Sequence, residues 1–416
     1  MIYQMLPRLW GEGLLRSVDR ETLSYLKSLG MTHVWYTGVP RHASGKPFVK
    51  GDPGSPYAVS NYYDTNPYLA VNKSKRMYEF ESLVRRTHKA GLRVIIDFVP
   101  NHVSPDYTDP HGGITVHPWH DYDWTDTRKI DYGDRTNWDR LLAILKFWAA
   151  KGVDGFRCDM VELVPAAFFT WAIRSLKADY PDVTFIAEIY EKAHYRRYIE
   201  EVGFDLLYDK SGLYDVLWSL AHGTGTARAI TWNWQFLGDL QPRMLNFLEN
   251  HDEERLPCAY AALHVSLLWN TCPFMLYFGE EVGEAAAEAP NRRTSIFDRV
   301  QVESLQHLYR YIHEGRGLRR PEAAALKRVG ALLRTASDPL YTEGGSYDLC
   351  YCNQDAPGFD PDRHFIWLRY HADRAVLILA NFSGAPADIS VYLPQTGGRV
   401  RIRAAAQDGA ILPVHL

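Results

Sequence analysis

Apolar residues along this chain fall into two alternating patterns. Short β-branched or aromatic runs read as buried strands, and longer stretches with apolar positions three and four apart read as amphipathic helices. The predicted strands are Ile2–Leu6, His33–Thr37, Arg93–Val99, Gly155–Asp159, Thr184–Ile189, Asp205–Tyr208, Met244–Leu248 and Phe274–Phe278. Helix-like stretches alternate with them at Asp19–Leu29, Lys75–Ala90, Trp138–Lys151, Pro165–Ala178, Lys192–Val202, two within Tyr214–Leu240, Leu256–Asn270 and Val302–Glu314. Eight such strands, each followed by a helix, are what a closed (β/α)8 TIM barrel requires. The rhythm then changes. Short alternating runs at Tyr347–Cys352, His364–Tyr370, Ala375–Asn381, Ile389–Leu393 and Arg399–Ile402, separated by turn residues, predict an antiparallel β-sandwich. The predicted division is a barrel over 1–320 and a sandwich over 321–416.

Local punctuation sharpens this picture. Asp19 with Thr22 reads as a helix N-cap, and Lys89-Ala90-Gly91 as a helix stop with glycine in the left-handed position. The third strand runs into Pro100-Asn101-His102 and then a long polar, aromatic-rich segment, 103–132, predicted as a short inserted loop region. Long loops at the carboxyl ends of barrel strands carry function. No charged residue occurs from Leu256 to Gly279, but His264, Asn270, Thr271 and Pro273 interrupt the run. It reads as a buried helix followed by a buried strand, not a membrane span.

Composition narrows the function classes. The 416 residues carry 46 basic and 50 acidic side chains, a net charge of −4, which leaves no basic stripe for a nucleic-acid backbone. Five cysteines, an odd number without metal-type spacing, exclude a disulfide scaffold. Aromatic residues reach 13%, ring surface that also suits sugars. The start, MIYQMLPRLWGEG, lacks a basic region ahead of a long apolar stretch, so the expected location is cytoplasmic, or secreted or periplasmic if the start has been trimmed. The oligomeric state is not encoded in any feature of the sequence.

Four segments place acidic or imidazole groups at predicted strand ends: Asp97 to His102, Gly155 to Asp159, Ala187-Glu188, and Asn250-His251-Asp252. In a barrel those ends meet at one mouth. Arg157 and Asp159 are two residues apart on one strand, so both side chains point the same way and the guanidinium can keep the carboxylate ionised. Asp97, on a neighbouring strand, is placed to orient Arg157 from its other side. Glu188 follows an apolar run, where desolvation and nearby anions raise a carboxyl pKa and suit it to proton donation.

These segments, DFVPNH, GFRCD, AE and ENHD in that order, resemble the motifs of the α-amylase superfamily of glycoside hydrolases. Flanking pieces agree: Gly30 to Tyr36, Tyr57 to Pro67, and Lys129-Ile-Asp-Tyr132. The resemblance implies Asp159 as nucleophile, Glu188 as general acid/base and Asp252 as a third, substrate-distorting carboxylate. It implies that His102 and His251 bond the reacting sugar, that Arg157 aligns Asp159, and that Tyr57 is a stacking ring. The implied activity is retaining cleavage of α-1,4-glucans or malto-oligosaccharides, with transglycosylation by the same residues, or a non-catalytic glucan-binding barrel, as alternatives. The chemistry needs no cofactor. A structural calcium is a family feature for which Asn101 is the candidate ligand, with Asp106, Asp109, Asp121 or Asp123 supplying further oxygens. One departure stands out: Glu162 and Leu163 replace the family's Lys-His after the nucleophile. Three histidines in the insert, His111, His117 and His120, read as cleft lining in preference to a zinc site. Trp232 and Trp234 read equally as sugar platform or core. Cys158 reads as a packed small hydrophobe, and the sequon at Asn381 as coincidental.

Overall fold

In a computed structural model, which describes residues 1–415, eight parallel strands close into a barrel. They are β1 (Ile2–Met5), β2 (His33–Tyr36), β3 (Arg93–Phe98), β4 (Gly155–Cys158), β5 (Thr184–Ala187), β6 (Leu206–Tyr208), β7 (Met244–Phe247) and β8 (Phe274–Tyr277), adjacent in chain order with β8 beside β1. Strands in a parallel barrel are covered on both faces, which is why each reads as an apolar run without alternation. Their ends agree with the expected ranges to within two residues. The helices fall where the periodicity puts them, including Arg20–Ser28, whose N-cap Asp19 accepts from the Thr22 amide at 3.0 Å.

By compactness the chain forms two units. The first comprises Met1–Tyr208, Asn250–Arg255 and Tyr277–Ala323, and contains β1 to β6. Within it the 103–132 insert is short: His102–Val103 pairs with Arg128–Lys129 as a small antiparallel ladder, extended by a bridge between Val116 and Ile130. A second hairpin, Pro40–His42 with Val59–Thr65, occupies the loop after β2 and carries Tyr57 on its approach.

The second unit comprises Asp209–Glu249, Leu256–Leu276 and Ala324–Leu416. Two antiparallel sheets face each other in its C-terminal part. One has the order β9 (Gly345–Asp348), β10 (His364–His371), β11 (Arg374–Asn381), β14 (Asp408–Val414); the other pairs β12 (Ala387–Leu393) with β13 (Gly398–Ala404). Leu349, Ile366, Leu368, Leu377 and Leu379 pack against Ile389, Val391, Leu393 and Ile402 between the sheets. This is the expected sandwich, with differences. β9 starts earlier than the predicted Tyr347–Cys352 and ends at Asp348, whose carboxylate accepts from the Cys350 amide at 2.7 Å and turns the chain out of the ladder. β14 was absent from the expected set because Gly409 and Pro413 break its pattern; as an edge strand it tolerates the proline. The helix Arg320–Ala336 was also not expected, since Arg319-Arg320-Pro321 reads as a loop, yet proline fits a helix's first turn. Its Ala325, Val329, Leu332, Leu333 and Ala336 form a buried stripe.

The uncharged segment forms the helix Tyr260–Leu268, buried at all but its first position, followed by β8. Among the described residues no helix is long and apolar enough to cross a membrane. Strand β14 comes so near this helix that a Cβ on Gly409 would lie 2.3 Å from the His264 ring. We expect Gly409→Ala to cost about 1–3 kcal/mol by overpacking. In urea denaturation, a Gly409→Ala/His264→Ala double variant should lose less than the sum of the single changes.

Candidate active site

Strand register builds the site. Arg157 pairs with Asp97 across β3 and β4, and Cys158 pairs with Ala187 across β4 and β5. The next residues, Asp159 and Glu188, therefore emerge side by side at the carboxyl ends, fixed by Asp159 N–H to Phe98 O (2.9 Å) and Glu188 N–H to Cys158 O (3.0 Å). Arg157 is fully buried beneath them. Its Nη1 lies 2.7 Å from Asp159 Oδ1 and 3.6 Å from Asp97 Oδ1, and its Nη2 lies 2.8 Å from Glu188 Oε1. The rings of Trp35, Tyr57 and Tyr208 face the same guanidinium at 5.4–5.6 Å. One planar cation thus donates to Asp159 through Nη1 and lies in ion-pair contact with Glu188 through Nη2.

The remaining expected residues close the ring. Tyr57 Oη donates to Asp97 Oδ1 at 3.2 Å and meets His251 Nε2 at 2.5 Å, with the two rings stacked at 5.1 Å. His251 Nε2 is also 2.9 Å from Asp252 Oδ2. The Asp252 side chain is 41% exposed, against 10% for Asp159 and 5% for Glu188, so it stands on the open side of the site. His102 lies nearby against Trp124, with ring centroids 5.2 Å apart. Tyr57, His102, Asp159, Glu188 and Asp252 all line one cleft of about 590 Å³, within the range of small-molecule sites.

Charge dominates this cleft. Four buried or half-buried carboxyl groups share one guanidinium and one imidazole, so the cluster must retain protons to avoid stranded negative charge. Burial pushes Glu188 up to about 7; Arg157 opposes this, while Asp159 and Asp252 add to it. Burial also raises Asp159, against the pull of Arg157. Asp252 goes the other way: burial disfavours its charge, but His251 outweighs that and holds it at about 2. Burial lowers His102 to about 4, leaving it neutral at pH 7.

Several residues that support or line the site were not named as site residues from the sequence. Gln4, on β1, reaches His251 Nδ1 at 2.8 Å and Thr37 Oγ1 at 3.1 Å, and Trp35 Nε1 donates to Asp97 Oδ2 at 3.0 Å. Tyr190 Oη donates to Glu188 Oε1 at 3.0 Å. Met160 has a left-handed backbone, φ 45°, and its amide donates to Glu188 Oε2 at 2.8 Å. A non-glycine residue in that region is strained and marks a constrained site. Lys50 and Arg293 bring positive charge to the cleft wall. Glu162 accepts from the Tyr190 and Glu191 amides at 2.8 and 3.2 Å and meets His194 at 2.9 Å, so it ties down the loop after β5.

Other candidates fall elsewhere. Trp232 and Trp234 do not line the cleft; Trp234 packs on Trp269 at 5.4 Å. His111 and His117 pack on Tyr63 and Trp119, and among the described residues the insert holds no histidine metal cluster. Cys158 is fully buried. Asn381 is also buried, its amide donating to two backbone carbonyls.

The calcium candidate Asn101 has a different neighbour from the one expected. Lys129 Nζ lies 2.5 Å from Asn101 Oδ1, 3.0 Å from Asp121 Oδ2 and 3.1 Å from the Leu163 carbonyl. Of the other candidate carboxylates, Asp106 is engaged by Ser104, Asp109 by Tyr107 and two backbone amides, and Asp123 lines the cleft. This donor set does not fit a divalent ion.

Comparison with known proteins agrees with the fold. Residues 11–141 match a family model described as "Alpha amylase, catalytic domain". A maltosyltransferase of Cereibacter sphaeroides, named as acting between α-1,4-glucan and maltose 1-phosphate, is 30% identical over 240 residues, which is 50% of this chain and 39% of that protein. Neopullulanase 2 of Thermoactinomyces vulgaris is 22% identical over 94% of this chain and 66% of its own length. Among solved structures, a noncanonic maltogenic α-amylase from Thermotoga neapolitana superposes with a TM-score of 0.74 at 21% identity, covering 100% of this chain and 98% of that one. The chain spans only 34–39% of the length of the first three curated maltosyltransferases it matches.

A raised carboxyl pKa is a stability statement. Glu188 binds its proton more tightly folded than unfolded, so its contribution is fully present below its unfolded value near 4.5 and is lost as pH rises through about 7. Glu188→Gln, which mimics the protonated form, should match wild type near pH 4 and exceed it above pH 7 by up to about 3 kcal/mol in denaturant unfolding.

Proposed function

We propose that this chain belongs to the α-amylase superfamily and cleaves α-glucosidic bonds of malto-oligosaccharides or related α-1,4-glucans with retention of configuration. The single observation that carries this is the pairing of Asp159 and Glu188 on opposite nitrogens of the buried Arg157, at the floor of an open cleft. A retaining mechanism needs two carboxyl groups about 5–5.5 Å apart, one ionised and one protonated. Arg157 supports the ionised form of Asp159 at the attacking position. Glu188, pushed up to about 7, keeps the proton that the departing sugar oxygen needs.

In this reading Asp159 Oδ attacks the anomeric carbon while Glu188 protonates the glycosidic oxygen, giving a covalent glycosyl-enzyme. Glu188, now ionised, then takes a proton from the incoming hydroxyl as that oxygen displaces Asp159. Asp252, ionised and on the open side, is placed to accept hydrogen bonds from sugar hydroxyls as the ring flattens. His102 and His251 supply further polar contacts, and Tyr57 an aromatic wall. Tyr190 Oη, bonded to Glu188 Oε1, supports that carboxyl group in either protonation state.

Transfer to a sugar hydroxyl in place of water is a second reading, favoured by the maltosyltransferase relatives. Both share the first half-reaction, so product analysis on maltotriose separates them: oligomers longer than the substrate report transfer, and glucose with maltose reports hydrolysis.

Asp159→Asn should abolish turnover of maltotriose, and Glu188→Gln should reduce kcat by about 10²–10⁴-fold. With an aryl glycoside whose leaving group needs no protonation, Glu188→Gln should retain rapid release of the first product. Wild-type kcat/KM should fall as pH rises above about 7, where Glu188 loses its proton. Undiminished turnover by purified Asp159→Asn would overturn the assignment.

A further inference from the structure

We infer that the Lys129 side chain is a built-in structural cation, and that the protein binds no calcium between the insert and the strand ends it adjoins. The centre lies where three segments meet: Asn101 after β3, Asp121 and Lys129 of the insert, and Leu163 in the turn after β4. An ammonium has three donors and no acceptor, and each of the three has an oxygen here, at 2.5, 3.0 and 3.1 Å. The inventory is complete.

Charge and coordination both select an ammonium over a divalent ion. Asp121 supplies one negative charge, while Asn101 Oδ1 and the Leu163 carbonyl are neutral, so one positive charge balances the set. Calcium takes six to eight oxygens at about 2.3–2.6 Å, and this centre offers three from the protein. Lys129 is anchored from its backbone as well: its N–H donates to Trp119 O, its carbonyl accepts from His117 N–H, and it pairs with His102 in the small ladder. Its side-chain exposure is 17%, and that of Asp121 is 23%, so the pair is screened only in part. Asn101 also donates through Nδ2 to Asp121 Oδ2 at 2.8 Å and contacts His102 Nδ1 at 3.1 Å. The lysine therefore braces the residue beside His102 and the turn that follows Asp159, making it a positioning residue that touches no substrate.

The inference does not depend on the proposed reaction, because its readouts are metal content and thermal stability. Wild-type protein, treated with EGTA and re-equilibrated with millimolar calcium, should retain no stoichiometric calcium by elemental analysis and show one melting temperature under both conditions. Lys129→Met strands the Asp121 carboxylate and should lower the melting temperature by about 3 °C or more. Adding Asp121→Asn to Lys129→Met should recover part of that loss, whereas Asp121→Asn alone should destabilise, giving a positive coupling in the double-mutant cycle. One equivalent of calcium on the wild-type protein, a melting temperature that falls in EGTA and returns with calcium, or a Lys129→Met variant as stable as wild type would overturn it. The wild-type measurements stand even if Lys129→Met fails to fold.

Discussion

A single buried guanidinium sets the terms for the rest of the candidate site. Arg157 has no exposed surface, and its positive charge is tolerated there because carboxyl groups surround it. Those carboxyl groups are in turn tolerated only because Arg157 and His251 are present, and because one of them keeps its proton. Removing either partner of such a cluster leaves uncompensated charge in a medium that screens poorly. The same imbalance that makes the site costly for the fold separates the protonation behaviour of Glu188 from that of Asp252, and that separation is what acid and base roles require.

The barrel contributes register more than energy at this point. Parallel strands present consecutive residues at equal heights, so a two-residue alternation on β4 puts Arg157 and Asp159 on one face, and β5 brings Glu188 level with Asp159. Loops supply what the strands do not. The hairpin after β2 delivers Tyr57, the turn after β4 puts the Met160 amide on Glu188, and the loop after β5 returns Tyr190 to the same carboxyl group. Glu162 fastens that last loop through two backbone amides.

Two cations therefore organise the strand ends at different depths. Arg157 gathers the carboxyl groups of the cleft, and Lys129 gathers the loops that frame them. They differ in kind: Arg157 is a planar cation in charge contact with carboxyl groups from three strand ends, and Lys129 is a point charge whose three donors meet three oxygens.

The barrel strands and the order of the motifs were legible because they are local: an apolar run bounded by turn residues, or an acid at a strand's carboxyl end, needs only neighbouring positions to be seen. The same holds for Asp159 beside Arg157, two residues apart. The pairing of Gln4 with His251, 247 positions away, had no such signature, nor did the buried face of Arg320–Ala336 behind its Arg-Arg-Pro start. At Asn101 the sequence by itself named an oxygen ligand, but whether a metal or a lysine met it depended on the ladder that carries Lys129 back beside His102. Residue type and local spacing determine which chemistry is available. Which charges finally face one another is decided by chain closure, because electrostatic and hydrogen-bond partners are chosen through space.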